Sequence, residues 1–153
     1  MKKIIDPYFK FPFSPEEAVN QLFTGTSPDY LIGVIDEWLP VALANKVGRY
    51  PDPETRQNLV LFIDDFKELI QVMGPPNFKN KKELVLVKTE FAEKYSLAYV
   101  RQELFDLFIS AITYEGLLEV QKITAGSLYL SFASLIHGTF FLKVEDKLPK
   151  FPA

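Results

Sequence analysis

Cysteine is absent from this chain, and histidine and tryptophan occur once each. No disulfide, thiolate metal site or cysteine nucleophile can be built without a thiol. A helix-borne carboxylate metal centre needs Glu-x-x-His pairs. The sole histidine is His137 and position 134 is a serine, so that chemistry is excluded as well. The HExxH, GxSxG, Walker A and GxGxxG patterns are all missing. No metal and no cofactor is expected. Basic charge is also short: the net charge is −3 and the pI about 5.2. A phosphate backbone requires a basic surface, so nucleic acid is not an expected partner.

Long uninterrupted apolar runs are lacking too. The amino-terminal MKKIIDPYFKF starts like an export signal, but its apolar run is too short and is broken by Asp6 and Pro7. Residues 123–142 hold twenty positions without a formal charge, yet Thr124, Ser127, Ser131, Ser134 and Thr139 dilute them. A buried helix fits better than a membrane span. A cytoplasmic protein with no membrane association is the expectation.

What is present is material for a core. Hydrophobic residues make up 48% of 153 residues, among them fourteen Phe and seven Tyr. That is enough for one ordered domain. The expected fold is all-α: a compact bundle of five to six helices over 14–138, in one domain spanning 1–153. Residues 1–13 form a Pro- and aromatic-rich strap and 139–153 a tail. Pro7 and Pro12 forbid regular helix at the start.

The helices announce themselves by their starts. Ser14-Pro15-Glu16-Glu17, Ser27-Pro28-Asp29 and Asp52-Pro53-Glu54 each place a capping residue before a proline at the first helical position. The first helix is predicted to end near Phe23 and the second, kinked or broken at Pro40, near Val47. The third carries the stripe Leu59, Phe62, Ile63, Phe66, Leu69, Ile70 and Met73 and stops at Gly74-Pro75-Pro76. A fourth runs from about Lys81 to Tyr95, burying Leu84, Val85, Phe91, Ala92 and Tyr95. Continued past Tyr95, that side would lie opposite the Leu97/Leu104/Leu107 side, so a break near Ser96 is required. Residues 84–88 and 127–132 also fit short strands, and helix is preferred at both.

Ser96–Gly116 is the predicted centre of the bundle. Its apolar sector covers roughly 200° of the helix, about twice an ordinary surface helix. Arg101 projects between Leu97, Leu104 and Phe108, where an unpaired guanidinium would be costly. Asp36, Asp65 and Glu115 are its candidate partners. The last helix, beginning at Leu117 or Thr124 and ending at Gly138, carries small residues at 124, 127, 131, 134 and 138. Their spacing of three and four makes one narrow stripe, read first as a packing surface.

Three functions compete. The first is a protein-interaction or regulatory module without catalysis, acting on a protein partner or by self-association through a helix face. The second is a binder of a small apolar or amphipathic ligand in a Phe-rich cavity. Arg101, Phe105, Phe108, Tyr129 and Trp38 would line it, with Arg101 or the serine stripe as polar handle. The third is an enzyme built from Asp36, Glu37, a tyrosine or His137. Asp36 and Glu37 point about 100° apart on a helix, so spacing alone gives them no shared site. No catalytic residue is assigned.

Overall fold

Three capped helix starts set the register of the bundle. Ser27 Oγ accepts from the Tyr30 amide at 3.2 Å, Asp52 Oδ1 from the Thr55 amide at 2.8 Å, and Ser96 Oγ from the Tyr99 amide at 3.1 Å. Each satisfies an amide that the first helical turn leaves without an intrahelical acceptor. The structure, a computed structural model, describes residues 15–74, 81–114 and 119–141. These fold as six helices: α1 (Pro15–Gly25), α2 (Pro28–Ala44), α3 (Pro53–Met73), α4 (Lys81–Lys94), α5 (Leu97–Ile112) and α6 (Glu119–Phe141). No strand occurs among the described residues, so 84–88 and 127–132 are helical. The cap predicted at Ser14, the stop at Gly116 and the strap at 1–13 lie outside them, as does the tail from residue 142 onward.

Several boundaries differ from the sequence pattern. α2 runs through Pro40 as one helix and stops at Ala44, where the Asn45 backbone turns extended. The proline sits on the solvent side with Gly33, Asp36 and Glu37, all exposed. In α4 the buried row is Leu84, Val87 and Phe91, and Ala92 is exposed, so the stripe lies slightly to one side of the predicted one. α6 extends past Gly138 to Phe141. The break between α4 and α5 falls where the stripe phases require, at Ser96.

The larger correction concerns the centre. α5 packs mainly between α2 and α6, and α3 touches its first turn through the Phe62 and Tyr99 rings, 6.2 Å apart. α6 is the helix with neighbours on most sides: it packs extensively on α1 and α5 and also meets α2 and α4. A helix lacking a polar side must be enclosed in this way. Ala125, Tyr129, Phe132, Ala133, Leu135 and Ile136 are all within 1% of complete burial. Phe132 links the layers, its ring 5.5 Å from Trp38 of α2 and 5.8 Å from Phe66 of α3. Among the described residues, no helix is long and apolar enough to cross a membrane.

Close approach of α1 to α6 depends on Gly138. It is buried, and a Cβ built there would overlap the Val19 Cγ2 methyl. Gly33, on the exposed side of α2, has nothing within 4 Å of a Cβ. Opposite outcomes follow for the same substitution. Gly33→Ala should stabilise the fold by up to about 1 kcal/mol, the helix-propensity gain. Gly138→Ala should destabilise it by about 1–3 kcal/mol through overpacking, despite the same propensity gain. Urea unfolding of the two variants beside the parent measures both.

Candidate functional site

Three features of the surface and core carry chemistry: a ring cluster, a seam of tyrosines and carboxyls, and a hydroxyl-lined hollow. The ring cluster gathers four of the residues that sequence placed together. Phe108 stacks on Tyr129 with centroids 4.7 Å apart, Phe105 meets Tyr129 edge-on at 6.2 Å, and Trp38 lies 5.8 Å from Phe108. Trp38, Phe108 and Tyr129 are buried and Phe105 is half-buried. α2, α5 and α6 supply the rings, each from its apolar side, and they fill the space between the helices by direct ring contact.

The polar residues singled out in the sequence are dispersed. Arg101 is half-buried on α5 and has a partner. Asp36 pairs instead with Lys67 across α2 and α3 at 2.8 Å, and Asp65 with Lys94 at 2.7 Å. Glu115 lies outside the described residues. Glu37 is exposed, apart from the ring cluster's buried side of α2. His137 is half-buried with its ring 5.0 Å from Phe141. Among the described residues, no group of three or more Asp, Glu or His side chains is placed to hold a metal ion.

The seam joins the α2–α3 connection to α5, and its residues carry no sequence motif. Asn45, buried at the end of α2, donates from Nδ2 to the Ser110 carbonyl and to Thr113 Oγ1, both at 2.9 Å. Its Oδ1 accepts from the Val47 amide at 3.1 Å. The Arg49 amide donates to Ser110 Oγ at 2.9 Å, and the Arg49 guanidinium pairs with Asp106 at 2.7 Å. Gly48 allows the connection to lie this close, because a Cβ there would sit 3.0 Å from Ser110 Oγ.

Tyr50 completes the seam. It is only 3% exposed, and its hydroxyl donates to the Glu103 carbonyl at 3.4 Å. Burial raises the Glu103 carboxyl above its ordinary value, against the lowering influence of the Tyr99 and Tyr50 hydroxyls, and Asp106 raises it further by like-charge repulsion. Burial, followed by the bond to Glu103 and its charge, pushes Tyr99 up to about 12. Tyr95 is raised by burial and then by its 2.5 Å bond to Asp65. Tyr50 is raised by burial first and then by the Glu103 charge. These phenols therefore remain protonated donors at neutral pH and do not act as bases.

The hollow lies where the α1–α2 turn faces α6. Gly25, Thr26, Ser27, Tyr30, Ser127, Leu128 and Ser131 line a space of about 640 Å³ open to solvent. The small-residue stripe of α6 thus divides. Gly138 packs, whereas Thr124 and Ser127 are exposed and Ser131 and Ser134 half-buried. Ser131 Oγ donates to the Ser127 carbonyl at 3.2 Å and Ser134 Oγ to the Leu130 carbonyl at 3.0 Å. Donation back into the helix leaves each hydroxyl with lone pairs to offer as an acceptor. Thr26 Oγ1 is buried and has no hydrogen-bond partner among the described residues. The three-and-four spacing of the serines was the signal for this wall; only the turn packed opposite it turns a stripe into a hollow.

The seam makes a stability prediction. Asn45→Ala leaves the Ser110 carbonyl and Thr113 hydroxyl without their donor, and should cost about 1–3 kcal/mol. Thermal or urea unfolding followed by fluorescence of the single, buried Trp38 reads the loss.

No protein-family model matches this chain, and no characterised protein or solved structure matches it significantly, so its function has to be argued from geometry and chemistry alone.

Proposed function

We propose that this protein is a non-catalytic binding module for a small amphipathic ligand, received in the hollow between the α1–α2 turn and α6. The observation that carries the proposal is the make-up of that hollow. At about 640 Å³ it falls within the size range of small-molecule sites, and it sets the serines Ser27, Ser127 and Ser131 against Leu128 and the half-exposed Tyr30 ring. Among the described residues no charged side chain lines it, which suits an uncharged ligand with an apolar body and one or two hydrogen-bonding groups. The ring cluster of Trp38, Phe108 and Tyr129 supports the same function as a rigid apolar interior behind α6. The serine stripe supplies the polar handle, rather than Arg101, which does not line this hollow.

Amide chemical-shift titration with 1-octanol, octanoate and octylammonium tests the proposal. Octanol should shift Gly25–Tyr30 and Ser127–Ser131, the two charged analogues should bind more weakly, and Ser131→Phe should abolish the shifts without unfolding the chain. Shifts that avoid both segments, or survive Ser131→Phe, would contradict it.

One observation favours protein association as a second function. Lys82, Val85, Leu86 and Thr89 of α4 border an open, almost wholly apolar hollow of about 630 Å³, and Leu86 is 57% exposed. An exposed apolar patch of this kind marks association surfaces. If it acts in self-association, sedimentation should show a concentration-dependent dimer that Leu86→Glu converts to monomer. A monomer at all concentrations would remove that variant.

A further inference from the structure

We infer that the exposed side of α4 is a self-complementary docking surface, on which a second copy of this chain lies antiparallel with Lys82 of each copy against Glu93 of the other. The inference rests on the self-association reading of that side. It adds the orientation of the partner and the charges that set it.

The pattern lies in four positions. Lys82, Leu86, Thr89 and Glu93 are all exposed, and on a helix they fall within about 60° of one another around the axis. The buried row of Leu84, Val87 and Phe91 occupies the opposite side, so the strip points straight away from the core. Its spacing of four, three and four is that of a seam along which two helices pack. Leu86 is 57% exposed and borders, with Val85, the open apolar hollow on this side.

The charges at the two ends of the strip decide the occupant. Lys82 and Glu93 stand equally far from the midpoint between Val87 and Lys88, and so do Leu86 and Thr89. A two-fold axis at that midpoint sets Lys82 against Glu93 twice and Leu86 against Thr89 twice. Such a surface is its own complement, as an isologous dimer requires. Parallel pairing would set Lys82 against Lys82 and Glu93 against Glu93, so charge selects the antiparallel arrangement.

Neither charge has an opposite partner along its own helix. Lys82 is followed at three and four residues by Val85 and Leu86, and Glu93 is preceded at those steps by Glu90 and Thr89. Lys94, next to Glu93, pairs with Asp65 of α3. Among the described residues, neither Lys82 nor Glu93 forms an ion pair. The two flanks of the strip differ. Val85 and Ala92 add apolar surface on one, whereas Glu83 and Glu90 of both copies converge on the other. α4 has 14 residues, so the contact is about 21 Å long. One helix face of that length falls short of the roughly 800 Å² per partner that stable complexes bury. The dimer is therefore weak and forms at high protein concentration.

Sedimentation of charge variants tests the pairing. Lys82→Glu and Glu93→Lys should each weaken self-association roughly tenfold, because two ion pairs become two repulsive pairs. The double variant Lys82→Glu/Glu93→Lys should recover the parent affinity, and an equimolar mixture of the two single variants should associate more tightly than either alone. Disulfide cross-linking reads the orientation, since the chain has no cysteine of its own. Lys82→Cys mixed with Glu93→Cys should cross-link one to the other, and neither to itself. A chain that is monomeric at all concentrations, or a dimer indifferent to Leu86→Glu, would overturn the self-association reading and this inference together. A dimer that Leu86→Glu disrupts but both charge reversals leave unchanged, or in which Lys82→Cys cross-links to itself, would overturn the antiparallel pairing alone.

Discussion

Enclosure of α6 is the constraint from which the bundle follows. From Ala125 to Thr139 this helix has buried residues facing several directions, and it carries no charge with which to face water. Each large side chain left exposed would forfeit roughly 1.5–3 kcal/mol of apolar transfer energy. α1 and α5 must therefore lie along it, with α2 and α4 covering what remains. The approach of α1 is limited by side-chain size at one point, Gly138 against Val19. α3 holds the arrangement from outside α6, by joining α2 and α4 and by sending Phe66 to meet Phe132.

Enclosure is incomplete along one edge, where the hollow of the proposed ligand site lies. Ser127, Leu128 and Ser131 face the turn between α1 and α2, which is too short to cover them. The Ser131 hydroxyl satisfies its donor within the helix, so exposing it costs little and still leaves lone pairs to accept. The seam between the α2–α3 connection and α5 serves a different end. It is polar, held by neutral bonds at Asn45 and Ser110 and by the Arg49–Asp106 ion pair.

Much of this was legible in the sequence, for local reasons. Ser27, Asp52 and Ser96 fix three helix starts by chemistry confined to a few residues, and the clash of stripe phases locates the break at Ser96. The α3 stripe reads directly because its core and solvent sides are cleanly divided. The central helix was misplaced because α5 has the wider continuous apolar sector, while hydroxyls and glycines hide the burial of α6. Serine and threonine that donate to their own carbonyls can be buried or exposed at little cost, so their pattern does not reveal which. Sequence grouped Trp38, Phe105, Phe108 and Tyr129 as the lining of a ligand cavity, and the structure brings the four rings into one cluster of direct contacts. The seam was not foreseen: Tyr50 meets Glu103 and Asn45 meets Ser110 across more than fifty residues, and no spacing rule links them.

The divided character of the α6 stripe is the point on which the functional account turns, and the absence of cysteine makes it directly measurable. Single cysteines at Ser127, Ser131 and Ala133 in the otherwise thiol-free chain can be timed in their reaction with iodoacetamide under native conditions. Ser127→Cys and Ser131→Cys should react readily, and Ala133→Cys, at a position with no exposure, should react only through unfolding. If the two serine positions are as protected as 133, the stripe is a packed interface, the hollow is closed, and the proposed ligand site does not exist.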